Sequence, residues 1–281
     1  MQKRAAHTVT VSRRSAVWLM AGGLVGLMGT ACGNREEADV ESPKEAQPEV
    51  PVVSDTMAAQ PEQAAEPASE FARMLQAGEV NSIRLIGDSI TAGFLCDGYG
   101  PNTDTLIYDG PYGTFYETAY EVGCWANEFR TYAGDHGVGN FVNAGISGAK
   151  MRWLSEDADA WIREGADVIF VMLGTNDAVY HTVDEYRDFA ETGLTAVEAA
   201  CQHLVVLAPP DNAWTDYSVE MSQADVEAVL RELCDAHGWY FVSMLSALAL
   251  GTDEVNPDQC HPTTKGSHAM WEYLREELGL A

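Results

Sequence analysis

Basic side chains are scarce in this chain of 281 residues: 16 Lys and Arg stand against 43 Asp and Glu, a formal charge of −27. A surface so acidic is repelled by phosphate backbones, so nucleic acid is not an expected partner. The same field favours solubility and keeps anionic molecules at a distance. Cysteine is sparse as well. Of the six, none forms a close-set pair with another cysteine or a histidine in the manner of a zinc site, and neither a metal nor any other cofactor is expected. The most apolar run, 15–31, is short and interrupted by glycines, which does not suit a membrane span. No internal repeat is visible, and nothing in the pattern implies a protein partner.

What is present begins with an address. Lys3, Arg4, Arg13 and Arg14 precede the uncharged run, and Gly29-Thr30-Ala31 supplies small residues just before Cys32. That order predicts a cleaved export signal over 1–31. Cys32 stands where a lipoprotein carries its acylated cysteine, although Gly29 replaces the usual leucine, and Ser12-Arg13-Arg14 resembles a twin-arginine signal. Over 32–70 Glu, Ala, Pro and Gln dominate, and large apolar residues are too few to offset the entropy of ordering. The expectation is an acidic tether holding an extracytoplasmic domain at the cell surface, with a lipid on Cys32 as its one membrane contact.

From 71 to 281 the text changes. Short apolar, β-branched runs at 83–86, 141–142, 168–173, 204–207 and 240–242 alternate with helical spacing at 126–133, 185–200, 223–236 and 265–278. Continuous apolar runs read as parallel strands covered on both faces. Their alternation with helices predicts a doubly wound, three-layer α/β/α domain with a parallel sheet of about five strands. In such sheets ligands bind beyond the carboxyl ends of the strands.

Four segments fall at those ends or just before the last helix. Gly87-Asp88-Ser89 follows the first strand; Gly87 permits a sharp turn, and Ser89 then opens a helix, although Asp and Ser also serve as plain caps. Asn143-Ala144-Gly145-Ile146-Ser147-Gly148 follows the second, where a glycine N–H can approach a ligand closely. Gly174-Thr175-Asn176-Asp177 follows the third, with a neutral amide able to donate to an oxyanion. Asp258-Gln259-Cys260-His261-Pro262 precedes the last helix, and an Asp three residues ahead of a His can fold back onto one ring nitrogen and free the other as a base.

In that chain order the four segments resemble the motif blocks of the SGNH (GDSL-like) hydrolase family, over essentially all of 83–280. The resemblance implies a serine esterase working through an acyl-enzyme, with Ser89 as nucleophile, His261 as base and Asp258 orienting it. It implies an oxyanion hole made of the Ser89 and Gly148 N–H groups and the Asn176 amide; Gly145 is the rival for the second donor. Cys260 departs from the family, which more often has a small or aliphatic residue there.

A long loop between the first helix and Cys124 carries Phe94, Tyr99, Tyr108, Tyr112, Phe115, Tyr116 and Tyr120, and a second, 209–217, adds Trp214 and Tyr217. Aromatic faces with polar tips suit sugar rings, so Tyr99, Tyr112 and Trp214, with Asp88 and Asp177, are the expected substrate contacts. The reading that follows is release of small acyl groups, acetyl above all, from an acylated small molecule or an extracellular or cell-wall polysaccharide. A lysophospholipase or thioesterase on the same scaffold, and a catalytically silent carbohydrate-binding protein, are the alternatives. With Cys32 set aside five cysteines remain, an odd number, so at least one is free or paired with another molecule. Cys201–Cys234 and Cys96–Cys124 are the disulfides expected.

Overall fold

The computed structural model describes residues 69–214 and 217–280; the expected signal, Cys32 and 32–68 lie outside the described residues. Five parallel strands make the central sheet: β1 (Ser82–Gly87), β4 (Asn140–Gly145), β5 (Ala166–Met172), β6 (Cys201–Ala208) and β7 (Tyr240–Ser243), in the order β4-β1-β5-β6-β7. The order reverses between β1 and β5, which makes the cleft beyond their carboxyl ends the topological switch point of the sheet.

Alternation along each strand builds two cores. Val168, Phe170 and Met172 of β5 face one side, with Leu85, Val205 and Leu207, under α1 (Glu70–Gln76), α3 (Trp125–Asp135) and α9 (Thr264–Glu277). There Phe71, Phe129 and Phe170 meet edge to face at centroid distances of 5.1–5.9 Å. Ile169 and Val171 face the other side, with Ile86, Leu204 and Val206, under α4 (Met151–Glu156), α5 (Ala158–Ile162), α7 (Val183–Glu198) and α8 (Gln223–His237). Each buried strand side chain of this size contributes about 1.5–3 kcal/mol. Capping boxes start α7, between Thr182 and Glu185, and α8, between Ser222 and Asp225. Glu70, the last residue of the expected tether, is already the first of α1, whose cap Ser69 donates to the Leu278 carbonyl at 2.6 Å.

The aromatic loop is not a loop throughout. β2 (Asn102–Gly110) and β3 (Gly113–Thr118) pair antiparallel as a hairpin, closed across Gly110 and Gly113. A buried Arg84 on β1 ties it down, donating to the Trp161 carbonyl and the Ile107 carbonyl, both at 2.8 Å. Burial first, then the nearby Arg163, lowers the Arg84 guanidinium to about 10, so it remains a cation at neutral pH. On the other strand Glu117, also buried, takes the Asn143 N–H of edge strand β4 at 2.6 Å and pairs with Arg130. The hairpin thereby satisfies a sheet edge that would otherwise be open to pairing.

The two expected disulfides do not form: Cys96, Cys124, Cys201, Cys234 and Cys260 are all free thiols. Four are buried, and burial pushes Cys96 up to about 12 and Cys124 up to about 11, which makes them inert packing residues. Among the described residues no helix is long and apolar enough to cross a membrane.

Candidate active site

β1 ends in Gly87, and the chain turns at once into the four-residue helix α2 (Ser89–Ala92). The turn is tight enough that a Cβ at Gly87 would lie 2.1 Å from Thr91 Oγ1, so only glycine fits. Asp88 caps α2, its Oδ1 accepting the Ile90 N–H at 2.9 Å, and Ser89 is left facing the cleft.

The chain returns to this point from the far end of the molecule. Between β7 and α9, Gln259 adopts a left-handed φ of 57°, which folds Asp258 back over the residues that follow it. Asp258 Oδ1 accepts the N–H groups of Cys260 and His261, both at 3.0 Å, and Oδ2 accepts His261 Nδ1–H at 2.6 Å. Burial raises the Asp258 carboxyl, but the bonds from the His261 ring and the two backbone N–H groups outweigh it and hold the group below the usual carboxylate range. An ionised carboxylate only accepts, so Nδ1 carries the ring proton. Nε2 is then the acceptor for the Ser89 hydroxyl, 2.8 Å away. Phe94 and Trp214 meet the His261 ring edge to face, with centroids at 4.8 Å and 6.0 Å, and fix its tilt.

Three adjacent strand ends, those of β4, β1 and β5, also carry candidate donors. Gly148 takes φ +80° in the loop after β4, and neither its N–H nor that of Ser89 bonds to another described residue. Gly145 is not equivalent: its N–H is held by Asn143 Oδ1 at 3.0 Å. Asn176, past β5, spends one amide hydrogen on the Ala149 carbonyl at 3.0 Å, which orients the other. The arrangement offers an alcohol hydrogen-bonded to an imidazole, with free N–H groups at neighbouring strand ends.

Of the expected substrate contacts, two are reassigned. Asp88 and Asp177 are fully buried and closed to a ligand. Asp177 is a strut between loops: Oδ2 takes the Met151 N–H at 2.8 Å and Oδ1 bonds His181 Nδ1 at 3.0 Å. Among the described residues Asp88 Oδ2 and the Thr175 hydroxyl each lack a partner in good hydrogen-bond geometry, although the hydroxyl is near enough to favour the ionised carboxyl. Burial pushes the Asp88 carboxyl up to about 6, against the opposing pull of the Ile90 N–H and His261. Tyr99 and Trp214 do border the site: Tyr99 packs on Phe94 at 5.3 Å and reaches Ser147 Oγ at 3.1 Å. Tyr112 instead stacks on Trp153 at 4.3 Å and donates to Glu156; none of these contacts is with Ser89, His261 or Asp258. Cys260 is a buried thiol packed under the loop, neither bridged nor exposed. Lys150, Trp153 and Tyr180 are not among the expected contacts, although each follows the Gly148 or Asn176 segment within a few residues. No cluster of three or more His, Cys, Asp or Glu suited to a metal occurs among the described residues.

A three-layer α/β/α sheet with Ser, His and Asp converging at its switch point defines a hydrolase-type scaffold. The chain belongs to the GDSL-like lipase/acylhydrolase family, whose model matches residues 85–269, and it is an ester-bond hydrolase. No curated protein matches it. Among solved structures it is similar to an acetylxylan esterase from Geobacillus stearothermophilus, at 20% identity and a TM-score of 0.51 over 71% of this chain and 94% of that one. A hydrolase from the metagenome of Lake Arreo, Spain, is similar at 16% identity and a TM-score of 0.55 over 71% and 95%. At these identities the likeness concerns the fold.

Proposed function

We propose that the chain is a serine esterase that removes small acyl groups, acetyl above all, from carbohydrate. The observation that carries the reading is the unbroken relay from Ser89 Oγ to His261 Nε2 at 2.8 Å and from His261 Nδ1 to Asp258 at 2.6 Å. Ser89 attacks the ester carbonyl as His261 takes its proton, and Asp258 stabilises the imidazolium. The Ser89 and Gly148 N–H groups and the Asn176 amide hold the oxyanion. His261 then returns the proton to the leaving sugar hydroxyl and activates the water that releases the acid. Phe94 and Trp214 beside His261, with Tyr99 packed on the first and Tyr217 on the second, favour a sugar over a fatty chain, in keeping with the acetylxylan esterase above. Export through the 1–31 signal and a lipid on Cys32 complete the proposal, on sequence grounds alone.

Hydrolysis of nitrophenyl acetate, a long-chain nitrophenyl ester and an acetylated polysaccharide tests it. We expect turnover of the first and third, nearly all of it lost in Ser89→Ala and reduced roughly 10²–10³-fold in kcat in Asn176→Ala. Preference for the long chain contradicts the carbohydrate reading, and full activity in Ser89→Ala contradicts the mechanism.

A further inference from the structure

In a protein so rich in carboxylates, a basic side chain ordinarily finds one. Arg130, Arg152, Arg187, Arg231, Lys265 and Arg275 are each ion-paired. Among the described residues Arg73, Arg84 and Lys150 are not; Arg84 spends its donors on the Trp161 and Ile107 carbonyls, whereas Lys150 sits two residues past Gly148, in the loop whose N–H faces the cleft. Its ammonium donates to the Gly148 carbonyl at 3.2 Å and lies 4.4 Å from the centre of the Tyr180 ring and 5.8 Å from that of Trp153. Asp177 is a carboxylate whose charge raises the Lys150 pKa, but the two form no ion pair, and the Asp177 oxygens are bonded to Met151 N–H and His181. Lys150 is half-buried, and burial lowers its pKa. A half-buried cation without a counter-ion is costly unless something supplies one. Carbonyl and ring faces compensate in part and leave donors of the ammonium free.

The surroundings favour a sugar as the carrier of that counter-ion. Tyr180 is 58% exposed, Trp153 is stacked under Tyr112, and both rings meet the Lys150 ammonium, which itself holds the Gly148 carbonyl. Resting on the esterase reading above, we propose that Lys150, Tyr180 and Trp153 form a subsite for a carboxylate-bearing sugar, a uronic acid, in the acylated substrate. The exposed Tyr180 ring takes the pyranose and Lys150 takes its carboxylate. The subsite also resolves a difficulty raised by the composition: a formal charge of −27 repels an acidic polysaccharide, and a lysine without an ion pair on the Gly148 loop supplies local attraction.

The test compares wild type and Lys150→Gln on three esters: nitrophenyl acetate, an acetylated neutral oligosaccharide, and the same oligosaccharide carrying a uronic acid. Wild type should show the lower KM for the uronate substrate, with the preference weakening as salt is raised. Lys150→Gln should raise KM for the uronate substrate at least about tenfold relative to the neutral one, close to the 1.4 kcal/mol equivalent of a tenfold change. An equal change on both, or no preference in wild type, overturns the proposal. Calorimetry with the deacetylated uronate oligosaccharide and its carboxyl-reduced form gives a readout independent of turnover: tighter binding of the uronate form, abolished in Lys150→Gln, supports the subsite, and equal affinities overturn it. Loss of all ester turnover with that binding difference intact would sink the esterase reading alone.

Discussion

The imidazole of His261 is held on three sides, by Asp258 at Nδ1, by Ser89 at Nε2 and by the rings of Phe94 and Trp214 across its faces. The spacing of Asp258 and His261 was readable as a fold-back; the left-handed Gln259 that makes it possible was not, because glutamine seldom adopts that conformation. Nor was the burial of Asp88 and Asp177. Their positions beside the nucleophile and the amide suggested ligand contact, whereas each spends its carboxylate on backbone N–H groups that a helix start leaves open. Asp88 has a consequence for stability. Its folded-state pKa of about 6 lies above the ordinary 3.8, so the folded protein holds the proton more tightly than the unfolded chain, and stability is lost as pH rises through that window. Above it, the buried charge costs on the order of 2–3 kcal/mol. Asp88→Asn, which can still cap Ile90, should therefore stabilise the protein more at pH 8 than at pH 5, by about 1 kcal/mol. Thermal melts at the two pH values check this; an equal shift at both would mean the carboxyl is already ionised at pH 5.

At the scale of elements, the strands that alternate between the two cores were legible because their apolar runs are continuous, and the long helices because their apolar faces repeat. The hairpin of β2 and β3 is not among the expected elements, although Thr, Ile, Tyr and Phe, which favour strands, stand on both sides of Gly110-Pro111-Tyr112-Gly113; the same aromatics also suit ligand binding, and their pattern does not alternate cleanly. What fixes the hairpin is long-range and invisible in a local pattern: Arg84 from β1 and Glu117 onto β4. Glu117→Ala leaves the Asn143 N–H unpaired and Arg130 without its partner, and should destabilise the fold by about 3 kcal/mol. Denaturant unfolding reads the loss, and hydrogen exchange should show Asn143 deprotected first. A change below about 0.5 kcal/mol, within the range of ordinary surface substitutions, would contradict the edge-covering role.

At the scale of the whole molecule, residues 172 positions apart meet at a hydrogen-bond distance. The switch point of the sheet explains why: Ser89, Gly148 and Asn176 leave adjacent strands in order, and the segment after β7 crosses back to deliver His261. Chain order and strand ends made that convergence readable; the thiols did not follow it, since the expected Cys201–Cys234 and Cys96–Cys124 pairings are absent and disulfide geometry depends on Cα separations that sequence does not contain. The most direct measurement of the central claim is covalent. Full-length protein treated with diisopropyl fluorophosphate and mapped by peptide mass spectrometry should carry one adduct, on Ser89, and His261→Ala should fail to acquire it. An unlabelled Ser89 in the native protein, or a label on another residue, would contradict the account.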